Sequence, residues 1–289
     1  MSATTSTAVL ITGCSSGIGR ATAQRLARSG RTVYATARSL DAIADLEAEG
    51  CKLLALDVTD ERSMAAAVQA IESAEGAVGT LINNAGYSQS GAIEDVSMEL
   101  VQRQFDTNVF GLVRLTQLVL PGMRAQRAGR IVNISSMGAN FTFPGGGYYH
   151  ATKYAIEAIS DALRFEVAGF GVKVVVIQPG LIRTNFGERA VAQLAEAESD
   201  GSADGPYAGF SAKVAEATRD VYEEGAMAKL GVAPDAVAKT IEKVLAAENP
   251  RARYRVAPSA HAMIALRALT PDRGWDAIMR AQFPQPGKS

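Results

Sequence analysis

Cysteine and histidine are scarce in this chain, with two of each in 289 residues. Cys14 and Cys51 form neither a metal-ligand spacing nor a disulfide framework. His150 and His261 are too few for a histidine-based centre, so no metal is expected. Excess charge is missing too: 29 Lys and Arg against 30 Asp and Glu leave a net charge of −1. That balance points to neither nucleic acid nor an anionic membrane surface. No apolar run reaches the ~20 residues that a membrane-spanning helix needs. The start, Met1 to Thr7, is polar and lacks the charged-then-apolar pattern of a secretory signal. The expected setting is therefore reducing and cytoplasmic.

What is present is an alternation of short apolar runs with longer helical patterns. Strands are predicted over Ala8 to Ile11, Thr32 to Ala37, Leu53 to Leu56, Thr80 to Asn83, Arg130 to Ser135 and Val172 to Ile177. Helices are predicted over Ile18 to Arg28, Glu61 to Ser73, Glu99 to Gln126 and Tyr149 to Ala168. A run such as "VKVVVI" is apolar on both faces, which suits a parallel strand covered on both sides. The alternation predicts one α/β domain over 1–289, a doubly wound parallel sheet of about seven strands. "RYRVA", 253 to 257, would be the seventh. Asp235 to Ala247 reads as a further helix, and 258–289 as a helical extension, helical over 260 to 283.

Residues 187–230 break the pattern, with two helices expected around a mobile linker at "ESDGSADGP". The segment reads either as a surface insertion or as a lid. The lid reading follows from its place after a strand's C-terminal end, where ligands bind in such sheets.

"TGCSSGIG", Thr12 to Gly19, follows a strand and opens a helix. Glycines at 13, 17 and 19 allow a tight turn and close approach of backbone to a pyrophosphate. The free N–H groups at the helix start would hold the anion. The spacing is G-x-x-x-G-x-G rather than G-x-G-x-x-G. The chain then carries "NNAG" at Asn83 to Gly86, Asn108, Ser136, Tyr149 and Lys153, and "PG" at 179 to 180. This ordered set resembles the short-chain dehydrogenase/reductase family from residue 10 to about 185, and the likeness fades beyond. The resemblance implies a Rossmann fold, a nicotinamide cofactor, and association into a homodimer or homotetramer.

The second strand ends "YATAR", with Ala37 where family members selective for NAD often carry Asp. An acid there would repel a 2′-phosphate, whereas Arg38 can grip one. NADP(H) is therefore expected over NAD(H), with Ser16 as a further donor. Asp57, beside Val58, resembles the family's adenine-binding aspartate; its other reading is helix capping within "DVTDE". The resemblance places the cofactor against Gly13, Ser15, Ser16, Gly17, Ile18, Gly19, Arg38, Asp57, Val58, Asn84, Ala85, Gly86, Tyr149, Lys153, Pro179, Gly180, Ile182 and Thr184.

In "YYHATK", Tyr149 stands four positions before Lys153, on one helical face. A free phenol has a pKa near ~10 and is a poor base. A neighbouring ammonium is expected to lower it, letting Tyr149 exchange a proton with a carbonyl or alcohol oxygen. By resemblance Lys153 also binds the nicotinamide ribose. Ser136 ends the fifth strand and is expected to hold the substrate oxygen; family spacing favours it over Ser135. Asn108 lies inside a predicted helix. Its family role is a local helix irregularity whose carbonyl holds a water leading to Lys153; its other reading is a satisfied core polar group. His150 is expected to be a surface or interface side chain, and Tyr148 to pack or line the substrate rim. Met137, Phe141, Phe143, Phe186 and Phe210 are candidates for either an apolar pocket wall or the core.

Together these residues predict an NADP(H)-dependent oxidoreductase acting on a ketone or aldehyde and its alcohol. "VYATAR" and "RYRVAPSAH" look similar to the hydroxysteroid and retinol dehydrogenase branch, which implies a small apolar substrate. The alternative is a non-catalytic NADP(H) sensor on the same fold, which would not need Tyr149 and Lys153. A sugar-nucleotide epimerase of the extended branch would show TGxxGxxG spacing and a larger C-terminal domain; neither is present.

Overall fold

The computed structural model describes residues 5–198, 205–225 and 227–287. Its strands are β1 (Val9–Ile11), β2 (Val33–Ala37), β3 (Lys52–Ala55), β4 (Thr80–Asn83), β5 (Gly129–Ile134), β6 (Val172–Pro179) and β7 (Arg253–Val256). They form one sheet in the order β3-β2-β1-β4-β5-β6-β7. Every neighbouring pair is parallel. This is the expected seven-stranded, doubly wound Rossmann architecture.

Side-chain alternation splits the core into two layers. Val9 and Ile11 of β1 pack on one face with Ile177 of β6, against α1 (Gly17–Arg28) and α8 (Pro234–Ala246). Leu10 points the other way, into the layer shared with α2 (Glu61–Glu75) and α4 (Gly111–Ala125). Val9, Leu10 and Ile11 are all fully buried, so the strand is apolar on both faces because both faces are covered. α3 (Met98–Phe105) and α5 (Gly147–Val167) complete the main body.

Three expected elements differ in detail. The helix expected over Glu99 to Gln126 is divided: a π-helical turn, Asp106–Phe110, separates α3 from α4. The turn contains Asn108, where the family resemblance implies a local helix irregularity. The stretch 260 to 283 is two helices, α9 (Pro258–Leu269) and α10 (Asp272–Gln282). They part at Thr270, since Pro271 pushes its predecessor out of the helical region. The segment after β6 contains α6 (Phe186–Glu198) and α7 (Ala208–Arg219), followed by a second π-helical turn, Asp220–Glu224. The expected linker falls chiefly on 199–204, outside the described residues.

From β1 the sheet grows one way to β2 and β3, and the other way to β4. The two halves part between the C-terminal ends of β1 and β4. A crevice opens there, as it does at such switch points in general.

Candidate active site

The loop from β1 into α1 is built around glycine. Gly13 and Gly17 hold φ values of +71° and +58°, the left-handed region that side chains with a Cβ disfavour. Gly19 serves packing instead: a Cβ there would overlap the Gly13 carbonyl oxygen and the Asn84 amide nitrogen. Asn84 clamps this turn to the end of β4. Its side-chain amide donates to the carbonyls of Thr12 (2.9 Å) and Gly13 (3.1 Å). The backbone N–H groups of Asn84 and Ala85 donate to the Thr12 hydroxyl at 2.9 and 3.0 Å. Ser16 precedes α1 but its hydroxyl makes no capping bond. Thr184 crosses over the turn, with its methyl 3.3 Å from where a Gly17 Cβ would stand.

These residues open onto a cleft of ≈ 750 Å³. Ser15, Ser16, Gly17 and Ile18 line it beside Gly13; Arg38, Asp57 and Val58 line it at the ends of β2 and β3. Asn84, Ala85 and Gly86 form its middle, and Ser136, Tyr149, Lys153, Pro179, Gly180, Ile182 and Thr184 its far end. Of the catalytic and cofactor-binding residues named from the sequence, Gly19 and Asn108 stand behind the wall rather than in it. Asp57 accepts from the N–H and hydroxyl of Thr59 at 2.9 and 2.7 Å. The cap of α2 is Asp60, which accepts from the Arg62 N–H; the capping role therefore does not fall to Asp57. Arg38 is exposed at the rim.

Tyr149 and Lys153 leave the first turns of α5, and Ser136 leaves the end of β5. Lys153 is 6% exposed, and its Nζ donates to the Ile134 carbonyl at 2.9 Å. It lies 5.7 Å from the centroid of the Tyr149 ring. The π-helical turn places Asn108 behind this pair. The Asn108 amide donates to the Tyr87 carbonyl (2.8 Å) and the Thr152 hydroxyl (3.1 Å), and accepts from the Tyr87 N–H (3.0 Å). The Thr152 hydroxyl in turn donates to the Tyr149 carbonyl at 2.7 Å. Asn108 thus ties the loop after β4 to the tyrosine helix, and its side chain is a satisfied buried polar group.

Burial dominates the electrostatics of the pair. Burial pushes the Tyr149 phenol up to about 12, and only the Ser136 hydroxyl pulls the other way. Burial pushes the Lys153 ammonium down to about 8, opposed by Glu157. The Lys153 Nζ is engaged with the Ile134 carbonyl, and burial dominates at the Tyr149 phenol. At neutral pH Tyr149 is a protonated phenol, and burial makes it a weaker acid than a free one.

The remaining calls divide. Phe186 lines the cleft and lies tilted against the Tyr149 ring, 5.5 Å between centroids. Phe141 belongs to a separate cluster with Ile264, Trp275 and Met279, against which Met137 and Phe143 pack. Phe210 does not reach the cleft wall. Tyr148 packs with Val96, Leu100 and Val101 and donates to the Ile93 carbonyl at 3.0 Å. His150 is buried, at 7% exposure, rather than on the surface. Arg189, Gln193 and Tyr222 join the wall from α6 and the second π-helical turn. They fall in the segment read as a lid, but nothing local singles out these three, since their approach depends on how α6 and α7 lie on the sheet.

A parallel sheet with a glycine turn at its switch point, and a Ser–Tyr–Lys group in the same cleft, defines a nucleotide-binding α/β protein. The profile of the family described as short chain dehydrogenase matches residues 7–195, and the chain belongs to that family. Over 258 residues it is 37% identical to the 3-ketodihydrosphingosine reductase of Bacteroides thetaiotaomicron, covering 89% of this chain and 90% of that one. It is 34% identical over 280 residues to the NADPH-dependent 3-dehydrocapnine reductase of Ornithobacterium rhinotracheale, covering 93% and 94%. Its fold is similar to the closed form of a serine dehydrogenase complexed with NADP+, with a TM-score of 0.73 at 26% identity, covering 87% and 94%.

Proposed function

We propose that this chain is an NADP(H)-dependent oxidoreductase that interconverts a ketone or aldehyde with its alcohol on an apolar substrate. The observation that carries the reading is the meeting of Ser136, Tyr149 and Lys153 in one cleft with the glycine turn. Two similar proteins are named as reductases, one of them NADPH-dependent, which supports reduction with NADPH as the working direction.

The residues present fit the dinucleotide. Gly13, Gly17 and Ile18 line the cleft where the turn enters α1, so the first N–H groups of that helix are placed to hold a pyrophosphate. The exposed Arg38 and the uncapping Ser16 hydroxyl suit a 2′-phosphate. Asp57 and Val58 would flank the adenine, Lys153 would bond ribose hydroxyls, and Ile182 and Thr184 would hold the nicotinamide amide. Bound NADPH supplies the hydride. Ser136 holds the substrate oxygen and stabilises the charge that develops there. Tyr149, a protonated phenol at neutral pH, gives that oxygen its proton; in the reverse direction it takes one. Asn108 keeps the tyrosine helix in register through Thr152. Phe186 and Tyr222, from the segment after β6, give the substrate end an apolar cover, the role of a lid.

Among the described residues no helix is long and apolar enough to cross a membrane, and no metal-binding cluster is present. Self-association along α5 is part of the reading. Tyr154 and Phe165 share one face of that helix and are 45% and 89% exposed.

The test is NADPH oxidation with a panel of aliphatic and aromatic ketones, together with an NADPH fluorescence titration. Turnover that disappears in Tyr149→Phe supports the enzyme. Tight NADPH binding with no turnover of any ketone would instead favour a sensor.

A further inference from the structure

The segment from Ser136 to Gly146 carries the substrate-binding hydroxyl, yet its only regular element is a single 3-10 turn, Met137–Ala139. Something must fix it. The Ser136 hydroxyl accepts from the Gly138 N–H at 3.0 Å, so the placing of Gly138 decides where that hydroxyl points. The Gly138 carbonyl lies 2.7 Å from Nδ1 of His150. On the other side of the ring, the Phe143 N–H donates to Nε2 at 3.3 Å.

The two contacts settle the tautomer. A backbone N–H can only donate, so Nε2 carries no proton. The proton therefore sits on Nδ1 and is donated to the Gly138 carbonyl. The imidazole is neutral, both nitrogens are used, and one ring staples both ends of the segment to the first turn of α5.

The surroundings are shaped for this ring. A Cβ on Gly138 would stand 2.7 Å from Nδ1, and one on Gly146 would stand 3.0 Å from Cδ2. Glycine at both places lets the backbone close on the imidazole. Phe141, Phe143 and Tyr149 surround it with ring centroids 6.2, 6.1 and 5.8 Å away. His150 is next to Tyr149 in sequence but faces away from the cleft, so it does not touch substrate.

We propose that His150 is a positioning residue, whose imidazole bridges the Gly138 carbonyl and the Phe143 N–H to hold Ser136 in its working orientation. The proposal rests on the reading of Ser136 as the group that binds the substrate oxygen.

The variants separate hydrogen bonding from packing. His150→Phe keeps an aromatic ring and loses both bonds. His150→Asn places an amide N–H near the position of Nδ1 and keeps the bond to Gly138. Two measurements are made on each. In amide hydrogen exchange on the NADPH-loaded protein, His150→Phe should speed exchange at Gly138 and Phe143, and His150→Asn should restore Gly138 alone. In ketone reduction with the best panel substrate, His150→Phe should lower kcat by ~10-fold or more, short of the ~10²–10³ that loss of an oxyanion donor typically costs. KM for NADPH should stay unchanged, and His150→Asn should recover most of kcat.

A double-mutant cycle with Ser136→Ala closes the argument. If His150 acts through Ser136, adding His150→Phe to Ser136→Ala should cost nothing further. A full additive loss, or unchanged exchange at Gly138 in His150→Phe, overturns the proposal. A wild-type protein that fails to bind NADPH would instead refute the functional reading, and the exchange experiment would still decide whether His150 holds the segment.

Discussion

Replacing Lys153 with methionine should stabilise the protein and inactivate it in one step. Lys153 is 6% exposed and makes one hydrogen bond, to the Ile134 carbonyl. Burial lowers its pKa from 10.5 to about 8. At ~1.4 kcal/mol per tenfold change in a proton equilibrium, that fall means the folded state holds the ammonium at a cost of about 3 kcal/mol near neutral pH. Methionine fills much of the same space without a charge. It leaves the Ile134 carbonyl unpaired, which costs ~1–2 kcal/mol. The net gain near neutral pH should be about 1–2 kcal/mol.

The pH dependence carries the sharper test. Between about 8 and 10.5 the unfolded chain still holds the lysine proton while the folded chain has lost it. Stability therefore rises with pH across that window in the wild type relative to Lys153→Met. Tyr149, present in both proteins, cancels from the difference. Urea unfolding of the pair at neutral pH and near the top of the window measures both effects. The reasoning fails if Lys153→Met is the less stable protein at neutral pH, or if its advantage does not shrink as pH rises.

Four further outcomes are expected. Tyr149→Phe should lower ketone reduction by ~10²–10⁴-fold while NADPH fluorescence titrations stay unchanged. Arg38→Asp should turn the preference from NADPH towards NADH, since each charge-assisted bond lost is worth ~1.5–3 kcal/mol; equal loss of both cofactors would refute the role of Arg38. Gly19→Ala forces a Cβ onto the Gly13 carbonyl, and should cost ~1–3 kcal/mol in denaturant unfolding and abolish NADPH binding. Phe165→Glu should shift light scattering towards the monomer with the thermal midpoint of the monomer unaltered.

How much of this was legible follows from how local each signal is. β6 could be read because "VKVVVI" is apolar at every position, and the glycine turn because its φ demands act on neighbouring residues. Tyr149 and Lys153 could be paired because a helix repeats within four positions. Ser136 needed the family spacing, since β5 and α5 meet only in three dimensions. Arg189, Gln193 and Tyr222 were out of reach: their approach depends on how α6 and α7 pack, which no periodicity states. The burial that raises the Tyr149 pKa was out of reach for the same reason. Lys153 is visible in "YYHATK", but burial is a property of the assembled cleft. His150 was misplaced because the two glycines that receive its ring lie twelve and four positions away.

The places where local rules are broken converge on the cleft. The π-helical turn interrupts an otherwise continuous helix and delivers Asn108 to Tyr87 and Thr152. Ala257 holds φ +86°, a region few residues other than glycine enter, and such strain costs ~1–3 kcal/mol. It turns the chain from β7 into α9, whose Ser259 hydroxyl accepts from the Leu181 N–H at 2.9 Å. Gly180 has no room for a Cβ because Ser259 and Ala260 press on it. The C-terminal extension thereby fixes the Pro179–Gly180 turn at the far end of the cleft. Lys153 adds a buried cation to the same list. Each feature holds in place a residue that lines or backs the cleft. Relieving the strain with Ala257→Gly should therefore stabilise the fold while leaving NADPH binding intact, because the turn itself is kept. Thermal unfolding together with NADPH titration of that variant tests this, and a drop in the midpoint would show that Ala257 is not strained.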